Sequence, residues 1–527
     1  MEAPEVLIPT LFVAVTALSA AARWLDIPYP ILLVVGGLAI GFVPGMPNVE
    51  LEPDLVLLGF LPPLLYSAAF FADLRALRDD LRPISMTSIG LVLVTTATVA
   101  IAAHALIDEL SWAAAFALGA IVSPTDPIAA TAIMRRLGAP RRIVNLVEGE
   151  SLVNDASALV AYRVAIAAAV GGSFSLMDAA GEFVVAGLGG VAIGLVVGRV
   201  SAEVRRRLDD PPIEIAVSLF TGYAAFLPAD ELGLSGVLAA VTAGIYVGWH
   251  APTVASPQTR LQGFAFWEIL AFLLNSALFI LIGLQLAPIL DELSGQSILE
   301  AVGYAAAVTG IVVATRFAWV FTTPYVLRMI DRRPTQVERR VSAAGRVVVA
   351  WSGMRGAVSM AAALAIPLET DAGAPFAGRD EILIVTFGVI LFTVVVQGLT
   401  LPALIRRLDV TDDGAEEEEE VRARIEAAEA AIVRVEELAE EEWTRDRTIE
   451  RVRALYEYRR NRFAARTGEV EDDGYEDRST AYQQLMHHVY DAQRDTLVRL
   501  RNEGRISNDV MHRIERELDL EESRLEI

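Results

Sequence analysis

The residues best suited to chemistry lie between positions 148 and 155, where oxygen-bearing side chains interrupt an apolar stretch. An α-helix turns about 100° per residue, which brings five of them to one helix face: Glu148, Glu150, Ser151, Asn154 and Asp155. Hard oxygen ligands of this kind suit an alkali or alkaline-earth cation rather than a soft metal. A buried carboxylate also takes up a proton more readily than an exposed one. This face therefore predicts a site where a cation and a proton compete, with Asp155 as the exchanging carboxylate.

Two further polar groups lie in apolar segments that proline or glycine should interrupt. One segment contains Ser123-Pro124-Thr125-Asp126-Pro127, and the other contains Ser352-Gly353-Met354-Arg355-Gly356. Proline removes a backbone donor and glycine weakens a helix, so each segment should leave the helix near its middle. Matching interrupted segments in two halves of a chain are typical of secondary transporters.

Each break is expected to contribute to the site. Asp126 and the Thr125 carbonyl join Asp155 and Ser151 as predicted cation ligands. Asn154, on the same face of the helix, is included in the predicted cation-binding set. Glu150 is predicted to form a buried ion pair with Arg355, because an unpaired charge inside a membrane is costly. Glu148 lies nearer one end of its helix, so we expect it only to line the entrance.

The elements that position these residues are predicted to be membrane-spanning helices. The chain has 527 residues, of which 54% are hydrophobic, and a mean hydropathy of +0.44. About 20 apolar residues cross a bilayer, and thirteen segments of roughly that kind precede residue 410: Val6–Ala22, Ile31–Phe42, Leu55–Phe71, Ile84–Leu106, Trp112–Met134, Ile143–Val170, Met177–Val197, Ile213–Leu227, Leu232–Val247, Phe266–Leu286, Ile298–Leu327, Val341–Ile366 and Ile382–Ile405. We expect an all-α polytopic membrane protein, with segments one to six and eight to thirteen as inverted six-helix repeats whose broken helices cross.

The arginines predict the orientation of these helices. Alternate loops carry them, for example Arg75, Arg78 and Arg82, whereas the intervening loops contain Arg379 alone. Because positive residues concentrate in cytoplasmic loops, we expect the N-terminus outside, the C-terminal tail in the cytoplasm and an odd number of crossings in the cell membrane.

The C-terminal tail has a different composition. Residues 411–527 contain 33 acidic and 19 basic residues, which separates them from the transmembrane domain predicted at 1–410. The acidic run Asp412–Glu420 is interpreted as a solvated linker, and the remainder as a small helical cytosolic domain that dimerises or regulates. Apolar spacing from Ile425 to Leu438 predicts its first helix, Thr480–Arg501 is predicted as a second, and Ser507 is expected to cap a third, Asn508–Leu518. The net charge of −23 argues against a nucleic-acid binder, and the absence of cysteine excludes disulfides and thiolate metal sites.

Several of these motifs together resemble the monovalent cation:proton antiporters of the NhaP and Na⁺/H⁺-exchanger type, especially their bacterial members with long tails. The matching pieces span the membrane region in order: Phe60-Leu61-Pro62-Pro63-Leu64-Leu65-Tyr66, Thr125-Asp126-Pro127, Glu150 to Asp155, Phe266-Trp267-Glu268 with Asn275, and Gly353-Met354-Arg355-Gly356-Ala357. The resemblance implies thirteen helices, a homodimer, a mobile six-helix core, and cation coordination by Asp155, Asp126, Ser151, Glu150 and the Thr125 backbone.

The resemblance also bears on stoichiometry. Electrogenic relatives have two aspartates where this chain has Asn154-Asp155, so electroneutral exchange of one cation for one proton is implied. Many relatives have an acidic residue in place of Ser67, which leaves the third segment without a clear part in the site.

The sequence thus predicts a secondary active antiporter that exchanges Na⁺, or alternatively Li⁺ or K⁺, for H⁺ and needs no cofactor. The alternatives are a K⁺/H⁺ antiporter and, in another class, a cation-sensing membrane receptor that signals through its tail. A membrane-embedded hydrolase is disfavoured, since no nucleophile and base accompany the carboxylates. Lipid, a second copy of the chain and a cytosolic regulator are the expected partners.

Arg163 is expected to have a structural partner, Arg316 to reach the membrane surface or pair with a carboxylate such as Glu268, and His104 to be an ordinary hydrogen-bonded group.

Overall fold

A computed structural model describes residues 4–43, 51–171, 175–292, 298–330, 341–371, 373–412 and 414–525. Over these ranges the chain is helical and forms no β-strand. It divides into two compact units, Met1–Asp412 and Asp413–Ile527.

The larger unit consists of helices joined by short connections. Its first part comprises α1 (Pro4–Leu25), α2 (Tyr29–Gly41), α3 (Leu61–Phe70), α4 (Leu74–Asp79), α5 (Leu81–Ser85), α6 (Val92–Leu106), α7 (Trp112–Val122), α8 (Ile128–Arg136) and α9 (Arg141–Gly171). Its second part comprises α10 (Leu176–Arg206), α11 (Pro211–Glu231), α12 (Gly236–Val254), α13 (Pro257–Leu284), α14 (Leu286–Glu292), α15 (Ile298–Ile330), α16 (Ala343–Trp351), α17 (Ala357–Leu364), α18 (Arg379–Phe392) and α19 (Gly398–Arg407). Short π-helical stretches, Leu55–Phe60, Met86–Leu91 and Thr393–Gln397, lead into α3, α6 and α19.

Many of these helices have the length and composition of membrane spans. Among the described residues, eight stretches are long and apolar enough to cross a bilayer: Leu81–Leu106, Arg141–Gly171, Ala179–Arg206, Pro211–Glu231, Gly236–Val254, Pro257–Leu290, Leu299–Met329 and Arg379–Arg407. Four shorter apolar helices cover Thr10–Leu25, Tyr29–Gly41, Leu55–Phe70 and Trp112–Val122. Each of the thirteen predicted segments is helical over most of its length, whereas the number of crossings and the inverted repeat stay predictions.

Both predicted helix breaks are present, and they touch. The chain is non-helical between α7 and α8, at residues 123–127, and between α16 and α17, at residues 352–356. The backbone N–H of Asp126 donates a hydrogen bond to the Met354 carbonyl, with 2.7 Å between N and O. A side-chain carbon at Gly356 would collide with the Asp126 carboxylate, so glycine is required where the two breaks meet.

The central part of α9 is held against both broken helices by apolar packing. Ile121 of α7, Leu152 of α9 and Met360 of α17 belong to one buried hydrophobic cluster. The polar face of α9 is consequently fixed beside the two breaks, because close-packed interiors leave side chains little freedom to move.

The smaller unit contains four helices, α20 (Ala415–Leu438), α21 (Asp446–Arg466), α22 (Tyr475–Asn502) and α23 (Asn508–Glu522). Tyr490 and Leu497 of α22 pack on Met511 and Leu518 of α23. The Ser507 hydroxyl accepts a hydrogen bond from the Val510 N–H, as its predicted capping position requires.

Two features of this unit differ from the sequence prediction. Most of the acidic run, predicted as a solvated linker, forms the first turns of α20, and its glutamates are exposed to solvent. Glutamates at a helix N-terminus interact favourably with the helix dipole. Helix α21 was not predicted, since its many arginines obscure the apolar spacing.

Candidate cation-binding site

The polar face of α9 is buried in the larger unit. Glu150, Ser151, Asn154 and Asp155 each expose 8% or less of their surface. Burial of so many polar side chains requires internal partners or a bound ion. The hydrogen bonds of the first three show which part of the protein supplies those partners.

Thr125, in the first break, is the centre of a hydrogen-bond network with α9. Its carbonyl oxygen accepts from the Ser151 hydroxyl at 3.0 Å and from the Asn154 amide at 3.1 Å. Its own hydroxyl donates to Oε1 of Glu150 at 3.0 Å and accepts from the Asn154 amide at 3.0 Å. The non-helical backbone at Thr125 is therefore held in place by three side chains of one helix.

A cavity of about 290 Å³ adjoins this network and contains the predicted exchange site. Asp155, Asp126, Ser151 and Thr125 all line it. Oδ1 of Asp126 accepts the Ile128 N–H at 3.0 Å, whereas no described residue donates a hydrogen bond to Asp155. The cavity thus presents two carboxylates, a hydroxyl and backbone oxygen, which are the ligand types that a hard cation prefers.

Glu150 and Asn154 have a different position from the other predicted cation ligands. Neither residue lines the cavity, and both bind Thr125. Within the described ranges, no three acidic, histidine or cysteine side chains converge on a single metal position. A cation in the cavity would therefore rely on hydroxyl and carbonyl oxygens as well as carboxylates.

The predicted ion pair between Glu150 and Arg355 is wrong. Glu150 pairs instead with Arg316 of α15, with Nη1 to Oε1 at 2.5 Å and Nη2 to Oε2 at 3.1 Å. The Arg316 and Glu150 side chains are only 2% and 3% exposed. Arg316 also donates to the Val349 carbonyl from Nε and Nη2, so it connects α9, α15 and α16.

Arg355 binds backbone carbonyls inside the breaks instead of a carboxylate. Its Nε donates to the Val122 carbonyl at 3.0 Å, and its Nη1 donates to the Gly353 carbonyl. Its backbone N–H donates to the Thr393 hydroxyl at 3.1 Å. Val122 ends α7, so the guanidinium compensates carbonyls that the interrupted helix leaves without N–H partners.

At the edge of the cavity, Glu148 forms an ion pair with Arg135 of α8, with 2.7 Å between Oε1 and Nη2. Both residues line the cavity and are partly exposed. This position agrees with an entrance, and the functional role of Glu148 stays a prediction.

Two cavity residues were not predicted as ligands. Asn275 of α13 and Ser359 of α17 line the cavity. Each has a buried oxygen, Oδ1 of Asn275 and Oγ of Ser359, that lacks a hydrogen-bond partner in the described structure. Asn275 is among the pieces that carry the family resemblance, but the sequence gave it no role as a ligand, and it gave no signal for Ser359. Ser67, by contrast, donates to the Leu64 carbonyl and does not line the cavity.

Two further polar residues singled out in the sequence, Arg163 and His104, have ordinary partners. Arg163 forms an ion pair with Asp230 of α11. Nδ1 of His104 lies 2.7 Å from the Leu110 carbonyl oxygen. These contacts agree with the structural roles expected for both residues.

Comparisons with known proteins match the whole membrane region. Residues 10–407 match the family described as "Sodium/hydrogen exchanger, transmembrane". An uncharacterized Na⁺/H⁺ exchanger of Mycobacterium tuberculosis is 38% identical over 500 residues, covering 94% of this chain and 91% of the relative. The Na⁺/H⁺ antiporter ApNhaP of Aphanothece halophytica is 34% identical over 395 residues, covering 74% of this chain and 71% of the relative.

The fold is also similar to a solved structure. The sodium proton antiporter MjNhaP1 from Methanocaldococcus jannaschii superposes with a TM-score of 0.60 at 20% sequence identity. The match covers 76% of this chain and 98% of that protein. At this identity the likeness concerns the fold.

Proposed function

We propose, from the premise that this chain belongs to the sodium/hydrogen exchanger family, that it exchanges Na⁺ for H⁺ with one ion moving in each direction. Membership of the NhaP-type antiporters makes it a transporter of monovalent cations and protons. The choice of Na⁺, the stoichiometry and the residues that carry the ion are the proposal.

The observation that carries the proposal is the position of Asp155. Its carboxylate is buried, lines the cavity beside Asp126 and receives no hydrogen bond from any described residue. A single carboxylate in this position can be neutralised either by a cation or by a proton, but not by both at once. The ionised and empty carboxylate would be costly to move through an apolar barrier.

Exchange then follows from charge balance at Asp155. The carboxylate binds Na⁺ on one side, with Asp126, Ser151 and the Thr125 carbonyl as further ligands, and the loaded site becomes accessible from the other side. A proton then replaces Na⁺ on Asp155, and the protonated site returns. Because Thr125 O is already an acceptor for two α9 side chains, cation binding at this oxygen requires those donors to shift.

Glu150 and Asn154 act as positioning residues in this proposal. Both oxygens of Glu150 accept hydrogen bonds from Arg316, and Oε1 also accepts from Thr125. These bonds orient the break that carries Asp126, which places the second carboxylate next to Asp155. Asn154 in place of a second aspartate leaves one exchanging carboxylate on this face of α9, which supports electroneutral exchange.

The proposal includes the setting in which this occurs. The protein is a multi-pass membrane protein of an antiporter family, and we place it in the cytoplasmic membrane as a homodimer with its acidic C-terminal unit in the cytoplasm. A cytosolic regulator that binds this unit belongs to the same proposal.

Reconstitution into liposomes with an imposed pH gradient tests the proposed function. Addition of Na⁺ should collapse the gradient, at a rate that a clamped membrane potential does not change, and choline should leave it intact. Parallel additions of Li⁺ and K⁺ give the cation preference, and collapse by K⁺ alone would make the protein a K⁺/H⁺ antiporter. Cation binding without any flux would contradict antiport and favour a receptor.

A further inference from the structure

A second cavity, of about 130 Å³, lies apart from the cation site in the larger unit. It is located between the first turns of α9, helix α16 and the end of α15. Pro83 of α5 and Thr87 of the π-helical stretch Met86–Leu91 line its remaining side. Three arginines line it, namely Arg142, Arg328 and Arg346. Each of these arginines lies near a helix end that adjoins an arginine-rich loop.

The charges around this arginine pocket do not balance. Arg142 is paired with Asp80, with N–O distances of 2.8 and 3.2 Å. Glu150 also reaches the pocket, but Arg316 neutralises it. Arg328 and Arg346 have no carboxylate partner among the described residues, so the described lining of the pocket carries an excess of positive charge.

Arg346 gives the second, independent observation. Its Nε and Nη1 are shielded from solvent and have no hydrogen-bond partner in the described structure. One face of its guanidinium is covered by the Phe321 ring, whose centroid is 5.3 Å from Cζ. Buried N–H groups without an acceptor are unfavourable, so this side chain requires an acceptor from outside the described chain.

We propose that the arginine pocket binds a phosphate-bearing anion. A planar guanidinium binds phosphate oxygens through paired hydrogen bonds, and the volume exceeds what one water molecule occupies. The apolar walls, which include Leu146, Val320 and Val349, match the neighbourhood of a headgroup whose chains lie in the bilayer. Basic pockets between transmembrane helices bind anionic headgroups in this way, and free inorganic phosphate offers the same chemistry.

This inference does not depend on the transported cation or on the exchanging carboxylate. Its test therefore uses binding and thermal stability of the full-length protein, and not flux. Protein purified in a neutral detergent is titrated separately with phosphatidylglycerol, phosphatidylcholine and inorganic phosphate. Native mass spectrometry counts bound lipid, and the midpoint of thermal unfolding reports stabilisation.

The key variant is Arg346→Gln, which removes the unpartnered charge without breaking an internal ion pair. Its matched control is Arg199→Gln, because Arg199 is exposed on α10 and does not line the pocket. Loss of one charge-assisted hydrogen-bond partner should weaken anion binding by roughly tenfold or more. Arg199→Gln should bind as the wild type does.

The two sources of phosphate give different results. Stabilisation by phosphatidylglycerol in phosphate-free buffer, absent with phosphatidylcholine, identifies a lipid headgroup, whereas saturable stabilisation by inorganic phosphate alone identifies the free anion. The proposal would be overturned if Arg346→Gln and Arg199→Gln weakened anion binding equally. It would also be overturned if phosphatidylcholine and phosphatidylglycerol stabilised the protein equally while phosphate had no effect. If Arg346→Gln does not fold, Arg328→Gln takes its place, since the Arg328 side chain is exposed and its loss leaves no buried carboxylate unpaired.

Discussion

Replacement of Arg316 by methionine should destabilise the larger unit more than replacement of any surface arginine. Methionine fills a similar space with an unbranched, apolar side chain, and the change removes both hydrogen bonds to Glu150. Because Glu150 is 3% exposed, its carboxylate would remain buried without a counter-charge. Breaking one side of a buried ion pair costs about 3–5 kcal/mol.

A double-mutant cycle with Glu150→Gln isolates the pair from its surroundings. Removal of both charges should restore part of the lost stability, because neither partner is then left ionised in the interior. We expect a coupling free energy of about 2–3 kcal/mol, at the upper end of the range for contacting residues. The same cycle with Arg355→Met should give a clearly smaller coupling, since Arg355 donates to carbonyl oxygens and not to Glu150.

The assay is unfolding of the full chain in mixed micelles by a denaturing detergent, followed through tryptophan fluorescence. Fitted free energies for the wild type, the single variants and the double variants give both couplings. A larger coupling between Glu150 and Arg355 than between Glu150 and Arg316 would refute the assignment of the ion pair.

Two other substitutions test the crossing of the breaks and the smaller unit. Gly356→Ala should abolish exchange, because its methyl group would displace the Asp126 carboxylate, whereas Gly303→Ala has open space and should leave exchange intact in the same pH-gradient assay. In the smaller unit, the Arg494 guanidinium, with a smaller contribution from His487, lowers the pKa of Glu522 below its usual range. A lowered carboxyl pKa stabilises the folded state above the unfolded pKa of about 4.3 and loses that contribution as pH falls. The rate of amide hydrogen exchange in α22 and α23 of the full chain, corrected for intrinsic rates, should therefore rise on acidification of the wild type. In Arg494→Gln this rate should change less with pH. The same pH dependence in Arg494→Gln as in the wild type would contradict the role of Arg494.

The helices and both breaks could be predicted because their causes are local. Apolar segment length determines where helices form in a membrane protein, and Pro124, Pro127 and the paired glycines interrupt them through the backbone alone. Helix α21 was missed because a surface helix with few apolar residues has no strong periodicity.

The residue types of the site could be predicted from the sequence, but the partners in its ion pairs could not. The periodicity of α9 brings Glu150 and Asp155 near the breaks, yet it does not specify which arginine of another helix reaches them. Arg316 and Arg355 are both buried, and their partners follow from how α15 and α16 pack, which is a tertiary property. Asn275 could not be assigned for the same reason, since its position at the cavity depends on the placement of α13.

The most direct test of the central claim is proton release on Na⁺ binding to the purified protein. In weakly buffered detergent solution, near the pH at which half of the sites are protonated, Na⁺ should displace protons from wild-type protein in a saturable manner that a pH indicator follows. Choline should release none, and Asp155→Asn should release none on addition of Na⁺. Undiminished proton release from Asp155→Asn, or saturable Na⁺ binding to wild type without proton release at any pH, would contradict competition of the two ions for this carboxylate.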